Sequence, residues 1–83
     1  MYIGGIMAIG EQTKPDIYNT IGQNIKRYRK RLSLTQRELA EKSLVSENLI
    51  AKLESTTHQT ISIDTLEIIA GVLEVEISRL LEK

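Results

Sequence analysis

The chain of 83 residues contains no cysteine. That excludes disulfides and thiolate-held metal sites. It has one histidine, His58, in a polar loop with no second ligand near it in sequence. A surface position or a phosphate contact is the expected role there, not a metal ligand or catalytic base. No metal site and no cofactor is expected. No apolar run is long enough to span a bilayer. The first residues lack the basic charge and small-residue cleavage site of a secretion signal, so a cytoplasmic protein without membrane contact is expected. A nucleophile–base pair and a glycine-rich phosphate loop are also missing, which argues against an enzyme. Asp64 and Glu67 lie three apart, but acidic residues at a helix start need no catalytic explanation. One proline, Pro15, leaves the rest of the chain without a strong breaker.

The net charge of zero conceals a polarity. From Lys26 to Lys42 there are seven Lys or Arg against two acids; from Glu54 to Lys83 there are two against six. Such asymmetry suits a protein that offers one face to a polyanion. Taken alone, the run Lys26-Arg27-Tyr28-Arg29-Lys30-Arg31 also fits an ordinary solvated helix face.

Residues 1–19 read as an N-terminal arm, apolar and glycine-rich at first and polar later, extended, flexible or in dimer contacts. Residues 20–83 read as one domain of helices. The first helix is expected to begin near Thr20, with Gln23 as its box partner and Asp16 as an alternative, earlier cap. Ile21, Ile25, Tyr28 and Leu32 follow helical spacing. Thr35 and Glu38 form a capping-box pattern, stapled by Leu34 and Leu39, so a second helix is expected over Gln36–Ser43. Ser46 can cap a third, Glu47–Ser55, stapled by Val45 and Ile50. Ser62 can cap a fourth, with Ile63, Leu66, Ile69, Ala70 and Leu73 inward. A short last helix, Ile77–Leu81, carries Ile77, Leu80 and Leu81, more apolar surface than so short an element is expected to hide within one protomer. The fold class is therefore all-α, a bundle of five helices.

Helices two and three are joined by a tight turn. That geometry can present the second helix of the pair to a DNA major groove. With Ile50 and Leu53 inward, positions 47, 48, 51 and 52 point outward. Asn48 can pair with adenine, Glu47 can accept from cytosine, and Lys52 can reach guanine or phosphate. The open N–H groups behind Thr35 and Ser46 are natural phosphate ligands. Thr57 and His58, in the loop that follows, join the candidate DNA-binding set.

The constellation Ile21-Gly22, Ile25, Tyr28-Arg29, Leu34-Thr35-Gln36, Leu39-Ala40, Val45-Ser46, Ile50, Leu53-Glu54, Leu66, Ile69-Ala70 and Leu73-Glu74-Val75 resembles the Cro/repressor-like (XRE-type) helix-turn-helix regulators. The resemblance implies a lambda-repressor-like five-helix fold that binds double-stranded DNA as a homodimer. It implies that Gln36 contacts phosphate and can touch a base, and that Arg29 and Glu54 form a partly buried salt bridge. Three positions depart from the pattern: Leu44, Thr56 and Glu74 stand where glycine is common. Strain at a left-handed Leu44 predicts an altered turn.

The function expected is sequence-specific regulation of transcription. The alternatives are an antitoxin paired with a toxin, a restriction–modification controller, or a protein-interaction module that has lost DNA binding.

Overall fold

A computed structural model describes residues 16–55 and 59–83. Among them are five helices and no strand: α1 Ile17–Arg31, α2 Gln36–Ser43, α3 Glu47–Glu54, α4 Ile63–Val72 and α5 Ile77–Leu81. Each of the first four starts on a side chain that takes up an orphan N–H. Asp16 accepts from the Asn19 N–H at 3.1 Å. Thr35 accepts from Glu38 N–H at 3.0 Å while the Glu38 carboxylate accepts from Thr35 N–H at 2.8 Å, a complete capping box. Ser46 accepts from Leu49 N–H at 3.0 Å, and Ser62 from Thr65 N–H at 3.2 Å.

Two expectations at the first helix need correction. Thr20 lies inside α1, and the cap is Asp16, a turn earlier. Aspartate is among the preferred N-cap residues, ahead of threonine. The folded domain therefore includes residues 16–19, expected in the arm; residues 1–15 of that arm lie outside the described residues. Gln23 does not close a capping box; its amide reaches the end of α3 instead. At the other end of the motif, α3 stops at Glu54, with Ser55 as its C-cap rather than its last residue.

The turns follow one rule. Ser33, Leu44 and Glu74 adopt left-handed backbone, with φ of 59°, 60° and 64°. In each case the next N–H donates five residues back: Leu34 to the Arg29 carbonyl, Val45 to Ala40, and Val75 to Ala70, at 3.1, 3.0 and 3.0 Å. Leu34, Val45 and Val75 are partly buried. This is the Schellman closure, usually built on glycine. Leu44 thus keeps the ordinary geometry of the turn despite its side chain, at a cost on the order of 1 kcal/mol. The expected alteration of the turn does not occur.

The core is a single cluster. It takes Ile21, Ile25 and Tyr28 from α1, Leu39 and Ala40 from α2, Ile50 and Leu53 from α3, Leu66, Ile69 and Ala70 from α4, Leu73, and Leu80 from α5. Ile63, expected to face inward, is 62% exposed, because it opens α4 one turn before the first buried residue, Leu66. Leu80 is wholly buried within the protomer, while Leu81 stays 41% exposed. The last helix hides more of its apolar surface at home than its length suggested.

Ser43 is also buried, and its hydroxyl has no hydrogen-bond partner among the described residues. A buried unsatisfied hydroxyl costs about 1–3 kcal/mol, and alanine is the better helix former. Ser43→Ala is expected to raise the midpoint of thermal unfolding; a lower midpoint would contradict this account of the site.

Candidate nucleic-acid interface

The candidate surface is built on α2 and α3, and α1 fixes where α3 lies. Gly22 of α1 sits against the backbone of α3. A Cβ at Gly22 would overlap the Leu53 carbonyl oxygen and stand 2.7 Å from its carbon. Only glycine allows this approach. One residue on, the Gln23 amide donates to the Glu54 carbonyl at 3.2 Å, taking up an orphan acceptor at the end of α3.

Arg29 and Glu54 form the expected ion pair. The guanidinium donates through Nε to one carboxylate oxygen at 2.6 Å and through Nη2 to the other at 2.8 Å. Its Nη1 donates to the Leu34 carbonyl at 2.7 Å, tying in the α1–α2 turn. Both residues are buried. The hydrogen bond to Glu54 raises the Arg29 pKa above its ordinary value. A third donor reaches the same carboxylate: Gln36 Nε2 lies 3.0 Å from Glu54 Oε1.

On α3, Glu47, Asn48 and Lys52 are exposed as expected and Ala51 is half-buried, while Ile50 and Leu53 are buried. Thr35 and Ser46 are exposed at the helix starts, but their oxygens are committed to caps. The Glu38 carboxyl is held below its usual pKa by the Thr35 backbone N–H that it accepts. Thr56, Thr57 and His58 lie outside the described residues, so their candidate roles are not placed on this surface.

The basic run divides. Arg29 is spent in the interior, whereas Arg27, Lys30 and Arg31 are exposed and Lys26 is half-buried. Arg27 and Arg31 lie 5.1 and 5.3 Å from the centre of the Tyr28 ring, within cation–π range. Among the described residues there is no group of three or more His, Cys, Asp or Glu that could hold a metal ion. None of the described helices is long and apolar enough to cross a membrane.

Sequence reasoning missed Asn24. Its amide donates to the Leu80 carbonyl at 2.9 Å and the Glu82 carbonyl at 2.6 Å, closing the end of α5. The signal was present: Asn24 falls between Ile21, Ile25 and Tyr28 on the apolar stripe, where a polar residue needs a partner.

Two short helices locked by a left-handed turn, the second turning a polar stripe to solvent, define a helix-turn-helix domain. Residues 25–80 match the helix-turn-helix family model, and the chain belongs to this family, of the Cro/repressor (XRE) type. The immunity repressor protein of Bacillus phage phi105 is 42% identical over 59 residues, which is 71% of this chain and 40% of the relative. The transcriptional regulator SinR of Bacillus subtilis (strain 168) is 38% identical over 63 residues, 76% of this chain and 57% of the relative. The chain thus spans roughly half the length of these curated relatives, or less. In a crystal structure of SinR in complex with DNA, the matching chain has a TM-score of 0.71 at 39% identity, covering 75% of this chain and 98% of that one. A mutant of the restriction–modification controller protein C.Esp1396I is similar in fold, with a TM-score of 0.69 at 28% identity, covering 77% of this chain and 80% of that one.

Proposed function

We propose that this chain is a sequence-specific DNA-binding regulator of transcription that places α3 in the major groove of double-stranded DNA. The observation that carries the reading is the division of α3: Ile50, Leu53 and Glu54 are held inside, and Glu47, Asn48 and Lys52 are left on one exposed face. The similarity to SinR, a transcriptional regulator solved with DNA, supports it. So does the cluster of exposed cations on α1. The chemistry of the face is that of recognition, and no catalytic role is assigned to it. Selection of bound fragments from random duplex DNA, followed by gel mobility at several salt concentrations, tests the reading. If no duplex is retained above background, the interaction-module alternative takes its place.

Asn48 and Lys52 separate base reading from backbone anchoring. Asn48→Ala is expected to cost about 1–3 kcal/mol and to relax preference at one base position, through loss of a bidentate amide–adenine pair. Lys52→Ala distinguishes two roles for that cation. Uniform weakening with a salt slope reduced by about one marks a phosphate contact; lost preference at one position marks guanine. Both variants binding a selected site like the parent, at the parent's slope, would remove α3 from the groove.

The homodimer belongs to the same proposal. Its apolar support is Leu81 at the end of α5 and Ile17 at the start of α1, 41% and 38% exposed, on two helices that pack together. Paired copies would set two recognition helices about 34 Å apart on a palindromic site. Sedimentation of free and DNA-bound protein checks it: one protomer per site throughout contradicts the dimer. The controller alternative shares this domain and this DNA mode, and the similarity to C.Esp1396I supports it. Which gene the site precedes distinguishes the two.

A further inference from the structure

We propose that Asn24 is a positioning residue for self-association. It fixes the end of α5 so that Leu81 joins Ile17 in one apolar surface, and pairing depends on it out of proportion to its share in folding. The proposal rests on the homodimer reading above.

The weak point of that surface is α5 itself. The helix has five residues, and its N-cap, Glu76, makes no side-chain capping bond. A helix so short has little stability of its own. Leu80 roots it in the core, wholly buried, but Leu81 beyond it is 41% exposed and needs another hold. Asn24 provides one. Its amide nitrogen donates to the carbonyls of Leu80 and Glu82, at 2.9 and 2.6 Å, one on each side of Leu81. With the carbonyls before and after it fixed, the backbone at Leu81 is held to one path.

The amide is itself set in place. Two carbonyls accept from its nitrogen, and Arg27 Nη2 donates to its oxygen at 3.0 Å, so neither end can be exchanged for the other. Asn24 is buried on the apolar stripe of α1. An apolar residue there would involve no polar burial; an amide selects one seating of α5 on α1. The direction of α5 completes the surface. Tyr28 and Arg31, near the end of α1, share a cavity with Glu76 and Arg79, while the end of α5 is at Asn24. So α5 runs back along α1 toward its start. Ile17 lies about two helical turns before Asn24, on the same face. If loss of the clamp leaves Leu81 in its pairing position for roughly a third of the time, and both copies must present it, the dimer weakens about tenfold.

The test measures the dissociation constant of the dimer by sedimentation of the full chain. Asn24→Leu keeps a side chain of similar length and removes the donors. It is expected to weaken the dimer about tenfold, with a midpoint of thermal unfolding close to the parent's. Gln23→Ala removes the neighbouring amide from the end of α3 instead and should leave the constant unchanged. A dimer as tight in Asn24→Leu as in the parent overturns the proposal. Equal weakening in Gln23→Ala marks a general loosening of α1 and overturns it too. A midpoint lowered in step with the dimer constant, or an Asn24→Leu chain that does not fold, makes Asn24 a structural brace and overturns it equally. The unaltered protein gives a further readout: NMR order parameters of the Leu81 and Glu82 amides should match those of α4, and mobile values there overturn the clamp. If the parent stays a single protomer throughout, the homodimer reading fails, and the clamp is decided by those order parameters alone.

Discussion

Replacing Gly22 with alanine is expected to be the most damaging single-methyl change in this protein. The added carbon meets the Leu53 carbonyl, a backbone group inside α3 that no rotamer change can move aside. To make room, α1 and α3 must separate, and the Gln23 and Arg29 contacts at 3.2 and 2.6 Å are strained with them. Overpacking costs about 1–3 kcal/mol where side chains can yield; here they cannot, and the cost should lie at or above the upper end. Alanine's better helix propensity returns only about 1 kcal/mol. A chemical denaturation series on parent and variant measures the difference. The account fails if Gly22→Ala is as stable as the parent. Gly71 provides a control within the same protein, since a Cβ there meets nothing within 4 Å. Gly71→Ala should be neutral or stabilising.

Loss of the Glu54 carboxylate should be of at least comparable size. Glu54→Ala strands the buried Arg29 guanidinium and leaves Gln36 without its acceptor. Removing one member of a buried pair costs about 3–5 kcal/mol, chiefly because the other charge stays desolvated. The pair as a whole has a much smaller net worth. The double change Arg29→Met with Glu54→Leu should therefore recover most of the stability lost by Glu54→Ala. Melting curves of the three proteins decide it. If the double variant is as unstable as the single one, the pair contributes far more than its desolvation allows.

The helix starts were legible because each depends on residues adjacent in sequence. Thr35 with Glu38, and the caps Ser46 and Ser62, all appear as they read. The Arg29–Glu54 pair and the outward face of α3 came from the family resemblance and the periodicity together. Asp16 against Thr20 was a contest between two cap residues in one window, which spacing alone does not settle. The turns were misread for a different reason. Glycine is the usual mark of a left-handed closure, but the bond is made by the next residue. Leu34, Val45 and Val75, each apolar and each following a polar or exposed position, were the usable signal. The second roles of Gln23 and Asn24 were invisible because their acceptors lie 31, 56 and 58 residues away. No local pattern encodes a partner at that distance.

Those two amides on one turn of α1 also determine how the molecule can deform. Gln23 grips the end of α3 and Asn24 the end of α5, so one helix holds two others by their termini. Gly22, Gln23 and Arg29 of α1 all meet α3 near its end, so a shift of α3 strains its contacts with α1. On the proposed DNA-binding reading, a helix mounted so stiffly would adapt little to an ill-fitting duplex. Any mismatch of groove width or curvature would fall on the DNA, whose bending energy depends on its own sequence. Selectivity of this kind would extend to base pairs that no side chain touches.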